Sequence, residues 1–161
     1  MKTLVEGVQA AIDRRPVRPV VVSEVDDKHD AYAAAGAALT KSGTSTLELA
    51  LAGVPMAVTY RVNPVTAAIA RRLIRVPHVA MVNLLAGREV VPELLQGDCT
   101  AEKLADTVRH LLRDGAVAQA QRDAFRPMLE GLRPPAGTPS EAAAREVLGV
   151  LDQARRHRAA A

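Results

Sequence analysis

Apolar residues recur along this chain in two alternating rhythms. Residues 1–15 carry Leu4, Val5, Val8, Ala11 and Ile12 at helical spacing and predict a first helix. Val17-Arg18-Pro19-Val20-Val21-Val22 is then a short apolar run, the pattern of a strand buried on both faces of a parallel sheet. Asp26-Asp27 precede a helix through Ala35, and Ala37-Ala38-Leu39 is another short apolar stretch. Ser42-Gly43-Thr44 breaks it, and helical periodicity resumes from Ser45 to Ala52 with Leu47, Ala50 and Leu51. Gly53 follows where a helix-terminating glycine belongs. Residues 55–60 predict a strand, and Pro64 opens a helix at the turn where proline is tolerated. On that helix Val65, Ile69, Leu73 and Val76 form the predicted buried stripe. His78-Val79-Ala80-Met81-Val82 predicts another strand, followed by a loop with Gly87. Thr100 caps a strongly periodic helix with Ala101, Leu104, Ala105, Val108, Leu111 and Leu112 on one stripe. Residues 116–131 and 140–156 read as helices separated by Pro134-Pro135-Ala136-Gly137. Strands alternating with helices imply an α/β fold, a parallel sheet with helices on both faces that ends in helices.

Composition narrows this picture. A chain of 161 residues suits one domain able to bury a proper core. With two Tyr, one Phe and no Trp, that core must be built from Ala, Val and Leu. No stretch approaches ~18 uninterrupted apolar residues, so nothing reads as a membrane span. Glu6 falls where a signal peptide needs its apolar region, and one cysteine, Cys99, excludes an intramolecular disulfide and a cysteine-cluster metal site. The expectation is a cytoplasmic protein. The net charge of +3 is modest, and nucleic-acid binding would want stacking aromatics among the basic residues, which are almost absent.

One segment concentrates chemistry. Ser42-Gly43-Thr44-Ser45-Thr46-Leu47-Glu48 lies where a strand hands over to a helix, the edge at which parallel sheets bind ligands. Gly43 permits positive φ or a close backbone approach, and the helix start exposes unpaired N–H groups suited to phosphate. The hydroxyls of Ser42, Thr44, Ser45 and Thr46 add donors. Glu48, acceptor-only when ionised, suits the hydroxyls of a ribose. Ser45-x-x-Glu48 is equally a capping box that satisfies only the helix's own amides, and spacing alone leaves both open. Neither G-x-G-x-x-G nor a Walker lysine is present. Asn83, just after a predicted strand, stands at the same kind of edge, or simply caps a loop. Arg88 could hold a phosphate or pair with Glu89 or Glu93, and Glu93 after Pro92 could only favour a helix start. Arg71 and Arg75, four apart, are either solvated charges or contacts to anionic lipid headgroups.

The run from Ser42 through Leu51, then Gly53-Val54-Pro55-Met56 and Tyr60-Arg61-Val62, resembles the lipid-A-disaccharide synthases. So do Ala70-Arg71-Arg72-Leu73, Val76-Pro77, Asn83 through Arg88, and Val91 through Gln96. Asp27-Lys28-His29-Asp30-Ala31 matches the approach to the Ser-Gly-Thr turn, and the ordered similarity runs from about Val20 to about Leu112.

The resemblance implies the C-terminal, donor-binding half of a GT-B glycosyltransferase, Rossmann-like over residues 1–131, with a helical tail over 132–161. It implies transfer from UDP-2,3-diacylglucosamine to 2,3-diacylglucosamine 1-phosphate, giving the β-1,6-linked lipid A disaccharide phosphate and UDP. It implies no metal or cofactor, a place at the cytoplasmic face of the inner membrane of Gram-negative bacteria, and peripheral contact with that membrane. Dimers that exchange C-terminal segments occur in the family, which adds a homodimer to the expectations. By position, Ser42, Gly43, Thr44, Ser45 and Thr46 would hold the diphosphate and Glu48 the ribose. Asn83, Arg88 and Glu93 complete the expected UDP-sugar site, and the resemblance assigns no catalytic residue here. The family's N-terminal domain and the early donor domain, with its Pro-Gly-Ser-Arg loop, have no counterpart in the sequence, so Met1 is expected to be an internal start and the chain alone to lack transferase activity. Two other readings compete: another GT-B enzyme using a UDP-hexosamine, and a UDP-binding or inert fragment without catalysis.

Overall fold

Short apolar runs, each followed by a turn and a helix, fold into a parallel sheet. A computed structural model describes residues 2–12, 19–73 and 76–159. In chain order the elements are α1 (Lys2–Ile12), α2 (Val25–Ala34), β1 (Ala38–Lys41), α3 (Ser45–Leu51), β2 (Met56–Tyr60) and α4 (Pro64–Leu73). There follow α5 (Met81–Ala86), β3 (Glu93–Leu95), a 3-10 turn (Gln96–Asp98), α6 (Ala101–Arg113), α7 (Gly115–Gly131) and α8 (Pro139–Ala159). The strands lie in the order β1-β2-β3, all parallel, with Ala38 beside Met56 and Val58 beside Glu93. This is the expected α/β, Rossmann-like layering.

Met56 and Val58 point to one face, where Leu49, Ala50 and Val54 of the α3 region, Val82 of α5 and Phe125 of α7 close the core. α6 covers the opposite face and buries Leu111. The chain's one phenylalanine is 2% exposed, so Ala and Val do supply most of the remaining core. Gln121 of α7 locks that helix to the sheet: its amide donates to the Met56 carbonyl at 3.1 Å and accepts from the Met56 N–H at 2.8 Å. Both partners are buried, so each bond replaces water that cannot enter.

Residues 19–23 form no strand, and Val20 is 89% exposed; residues 17 and 18 lie outside the described residues. A doubly buried strand needs a pairing neighbour and cover on both faces. Among the described residues β1 is the last strand on that side. Residues 78–80 are irregular, and Met81 and Val82 begin a helix instead of ending a strand. A short apolar run fits either element, and the Glu93 carboxylate decides it by accepting the amides that precede α5. Glu93 itself opens β3 and no helix.

Of the predicted α4 stripe, Val65 and Leu73 are exposed, as is Val76 beyond the helix end, and among the described residues of α4 Ala67 is buried. The side chains of Ile69 and Arg71, and all of Arg75, lie outside the described residues. In α3 the buried positions are Thr46, Leu49 and Ala50, with Leu51 exposed. In α6 only Leu111 is fully buried, and Leu112 is 59% exposed. The first helix is described from Lys2 to Ile12, with Val8 exposed.

Candidate functional site

Parallel register brings the ends of all three strands to one edge: Lys41, Tyr60 and Leu95 are followed there by the turn 42–44, residues 61–63 and the 3-10 turn. Gly43 has φ +154°, a backbone state that suits glycine, with open space where a side chain would start. Ser42 donates to the carbonyl of Val79 at 2.7 Å, tying the turn to the segment before α5. Thr46 is fully buried and donates to the Gly43 carbonyl at 2.8 Å. The amides of Thr46, Leu47 and Glu48 return to Gly43 and Thr44. Those of Gly43, Thr44 and Ser45 precede the first helical bond and have no intrahelical partner. Thr44 is exposed and makes no side-chain capping bond.

The capping box does not form. α3 starts one residue earlier than the box requires, with Thr44 as its N-cap in helical geometry. The Glu48 carboxylate turns to α2 instead. Its Oε2 accepts from Lys28 Nζ at 3.0 Å and from Tyr32 Oη at 3.4 Å. The Lys28 hydrogen bond holds the Glu48 carboxyl below the ordinary carboxylate range, and the same bond raises Lys28. His29 meets the Tyr32 ring edge-on with centroids 6.2 Å apart. Lys28 and Tyr32 were missing from the sequence-derived site. Their i, i+4 spacing puts them on one face of α2, but only the tertiary fold joins that face to Glu48.

Asn83 is fully buried within α5 and has all its polar capacity engaged. Its Nδ2 donates to the Val91 carbonyl and to Glu93 Oε1, both at 2.8 Å. Its Oδ1 accepts from the amides of Val90 at 2.7 Å and Val91 at 2.9 Å. Glu93 also accepts from the amides of Val79 and Ala80, at 2.9 Å for each shortest bond, and lies 3.9 Å from His78 Nδ1. Asn83 and Glu93 thus fix the segment that Ser42 touches. Arg88 is not brought to this edge and does not pair with Glu93. With Val90, Val91 and Pro92 it lines a cleft of about 350 Å³ against His110, Leu111 and Gln121. Gln121 grips the first residue of β2, so that cleft belongs to the amino ends of the strands. At the carboxyl edge Gln96 adopts φ +49° and accepts from the Val62 amide at 3.4 Å, bracing the exit from β2. Among the described residues, no group of three His, Cys, Asp or Glu could hold a metal ion.

A carboxylate held beside a glycine turn, at the carboxyl edge of a parallel sheet, can accept from a hydroxyl donor, and the unpaired amides of the turn can meet an anion. A family model described as Lipid-A-disaccharide synthetase matches residues 10–147. The chain belongs to the lipid-A-disaccharide synthetase family. It is 63% identical over 146 residues to a lipid-A-disaccharide synthase of Gluconobacter oxydans, covering 91% of this chain and 35% of that protein. It is 54% identical over 157 residues to one of Granulibacter bethesdensis, covering 91% and 40%, and 44% identical over 155 residues to one of Nitrobacter hamburgensis, covering 96% and 39%. Against these members of the family the chain therefore spans 35% to 40% of their length. Among the described residues no helix is long and apolar enough to cross a membrane.

Proposed function

We propose that the chain is the donor-nucleotide-binding part of a lipid-A-disaccharide synthase. The whole enzyme would take UDP-2,3-diacylglucosamine and 2,3-diacylglucosamine 1-phosphate. The bond from the donor's anomeric carbon to UDP breaks, and a new β-1,6 bond forms to the acceptor. Residues 1–131 are read as the donor-binding domain and 132–161 as its helical tail. Amides and hydroxyls of Ser42, Gly43, Thr44, Ser45 and Thr46 hold the diphosphate, whose charge grows as UDP leaves and is best met by fixed dipoles. Glu48 accepts the ribose hydroxyls. Asn83 and Glu93 act by holding residues 79–80 and 90–91 in place. Arg88, in the cleft at the amino ends of the strands, takes no part in holding the nucleotide.

The observation that carries this reading is the Glu48 carboxylate. It does not fold back on its own helix but, among the described residues, has only Oε2 engaged, 3.0 Å from Lys28. Family membership supplies the choice of UDP. Calorimetric titration of the chain is the test. Saturable heat with UDP, and far weaker heat with ADP, supports the reading; no heat with UDP overturns it.

Peripheral contact with an anionic membrane belongs to the same proposal. From Leu49 to Arg88 the sequence has no acid and five arginines. α4, in the middle of that stretch, exposes Val65, Leu73 and Arg72. Apolar and basic residues outward on one helix suit a lipid interface, each basic residue contributing about 1 kcal/mol near an anionic surface. Co-sedimentation with phosphatidylglycerol vesicles, reduced by Leu73→Asp, supports this; no sedimentation opposes it. A partner copy over the exposed Val147, Leu148 and Leu151 of α8 is the corresponding reading of the homodimer, tested by sedimentation equilibrium.

A further inference from the structure

The placement of Glu48 creates an electrostatic difficulty that its neighbours resolve. A carboxylate that binds ribose stands close to the diphosphate of the same nucleotide, and like charges in a partly desolvated site oppose binding. Lys28 comes from another helix, twenty residues earlier in sequence, and its ammonium meets Glu48 Oε2 at 3.0 Å. Both side chains are about one-third exposed, at 35% and 37%. Tyr32 donates to the same oxygen at 3.4 Å, and the Lys28 ammonium lies 5.8 Å from the centre of the Tyr32 ring. Two donors on Oε2 fix the carboxylate's orientation. Oε1 has no hydrogen-bond partner among the described residues and remains the open acceptor.

We propose that Lys28 is a positioning and charge-compensating residue that lets Glu48 serve the ribose beside a diphosphate, so that it sets the preference for a nucleoside diphosphate over the bare nucleoside. This rests on Glu48 being the ribose acceptor. Without Lys28, the Glu48 charge faces the diphosphate uncompensated. Uridine, which carries no phosphate, meets no such repulsion and loses only the orientation of the carboxylate. Lys28 therefore acts on the ratio of two affinities, where a residue needed only for folding would lower both alike.

The test uses the 161-residue chain and calorimetric titration with UDP and with uridine. The variants are Lys28→Met, Lys28→Arg, Glu48→Gln and the Lys28→Met/Glu48→Gln double. Lys28→Met is expected to weaken UDP on the order of tenfold and uridine by about twofold, one compensated charge in a half-exposed site being a modest effect. Lys28→Arg keeps the ratio near wild type. In the double variant the repelling charge is gone, so UDP binds within about twofold of the Glu48→Gln single. Equal loss of UDP and uridine in Lys28→Met, or no change in either, overturns the proposal. If Glu48→Gln alters neither ligand, the ribose reading fails on its own evidence, and the inference falls with it. No UDP binding by the wild-type chain overturns both.

Discussion

Truncating Asn83 to alanine separates a residue that builds the site from one that touches the ligand. The side chain is completely buried and makes four hydrogen bonds, two of them to the N–H and C=O of Val91, itself fully buried. Alanine leaves both of those backbone groups without a partner and removes one donor from Glu93. A buried polar group left unsatisfied costs about 1–3 kcal/mol. Two such groups give about 2–6 kcal/mol, and a water entering the vacated space lowers the sum to about 2–5 kcal/mol. Domain stabilities are about 5–15 kcal/mol, so the loss is a large fraction of the total. Urea denaturation followed by circular dichroism measures it directly, as a lower midpoint with an unchanged slope. Well below its own midpoint, the variant should still bind UDP within a few-fold of wild type, because Asn83 offers no polar atom to the ligand. A stability change under about 0.5 kcal/mol together with lost UDP binding would refute this, and would make Asn83 a direct ligand.

Further outcomes follow from single features of the turn and the helices. Gly43→Ala forces a side chain into φ +154° and should cost about 1–3 kcal/mol through backbone strain rather than a clash, read as a lower melting temperature. Thr138 and Glu141 close a true capping box at the start of α8, with Thr138 N–H to Glu141 Oε2 at 2.7 Å and Glu141 N–H to Thr138 Oγ1 at 3.3 Å. Thr138→Ala should lower helix stability by about 1 kcal/mol, visible as lost ellipticity at 222 nm. Glu48, held ionised by Lys28, has its carboxyl lowered from the ordinary value. What depends on its charge is present above the unfolded value, about 4.3, and is lost only as pH falls through the lower folded value. Uridine affinity should therefore hold down to that ordinary value in wild type. In Lys28→Met the loss should begin at higher pH.

Every helix except α5 was legible because each carried its own signal. Thr100 caps α6 as predicted, and Gly53 and Gly87 take positive φ, the first at its predicted helix end. β2 was readable for the same local reason, a short apolar run between a proline and a charged exit. Which face of a helix is buried was less legible, since hydrophobic spacing marks an apolar side without saying what covers it. On α4 its described members, Val65 and Leu73, are exposed. The segment around α5 was misread because its fate is settled by Glu93, a residue ten positions beyond Asn83 in sequence. The turn 42–44 and Glu48 were picked out by type and spacing. The choice between capping and ligand roles was not, because Ser45-x-x-Glu48 and Thr138-x-x-Glu141 read alike. Only the second closes, while Lys28 and Tyr32 of α2 draw Glu48 away from its own helix.

The central claim is that Glu48 receives ribose hydroxyls, and the sharpest test compares UDP with its 2′,3′-dideoxy analogue on the wild-type chain and on Glu48→Ala. Hydrogen bonds to a charged group are stronger than neutral ones, so the wild type should prefer UDP by about tenfold or more. Glu48→Ala should bind the two ligands with nearly equal affinity. A wild type that does not distinguish them, or a Glu48→Ala variant that keeps the full preference, would contradict the assignment.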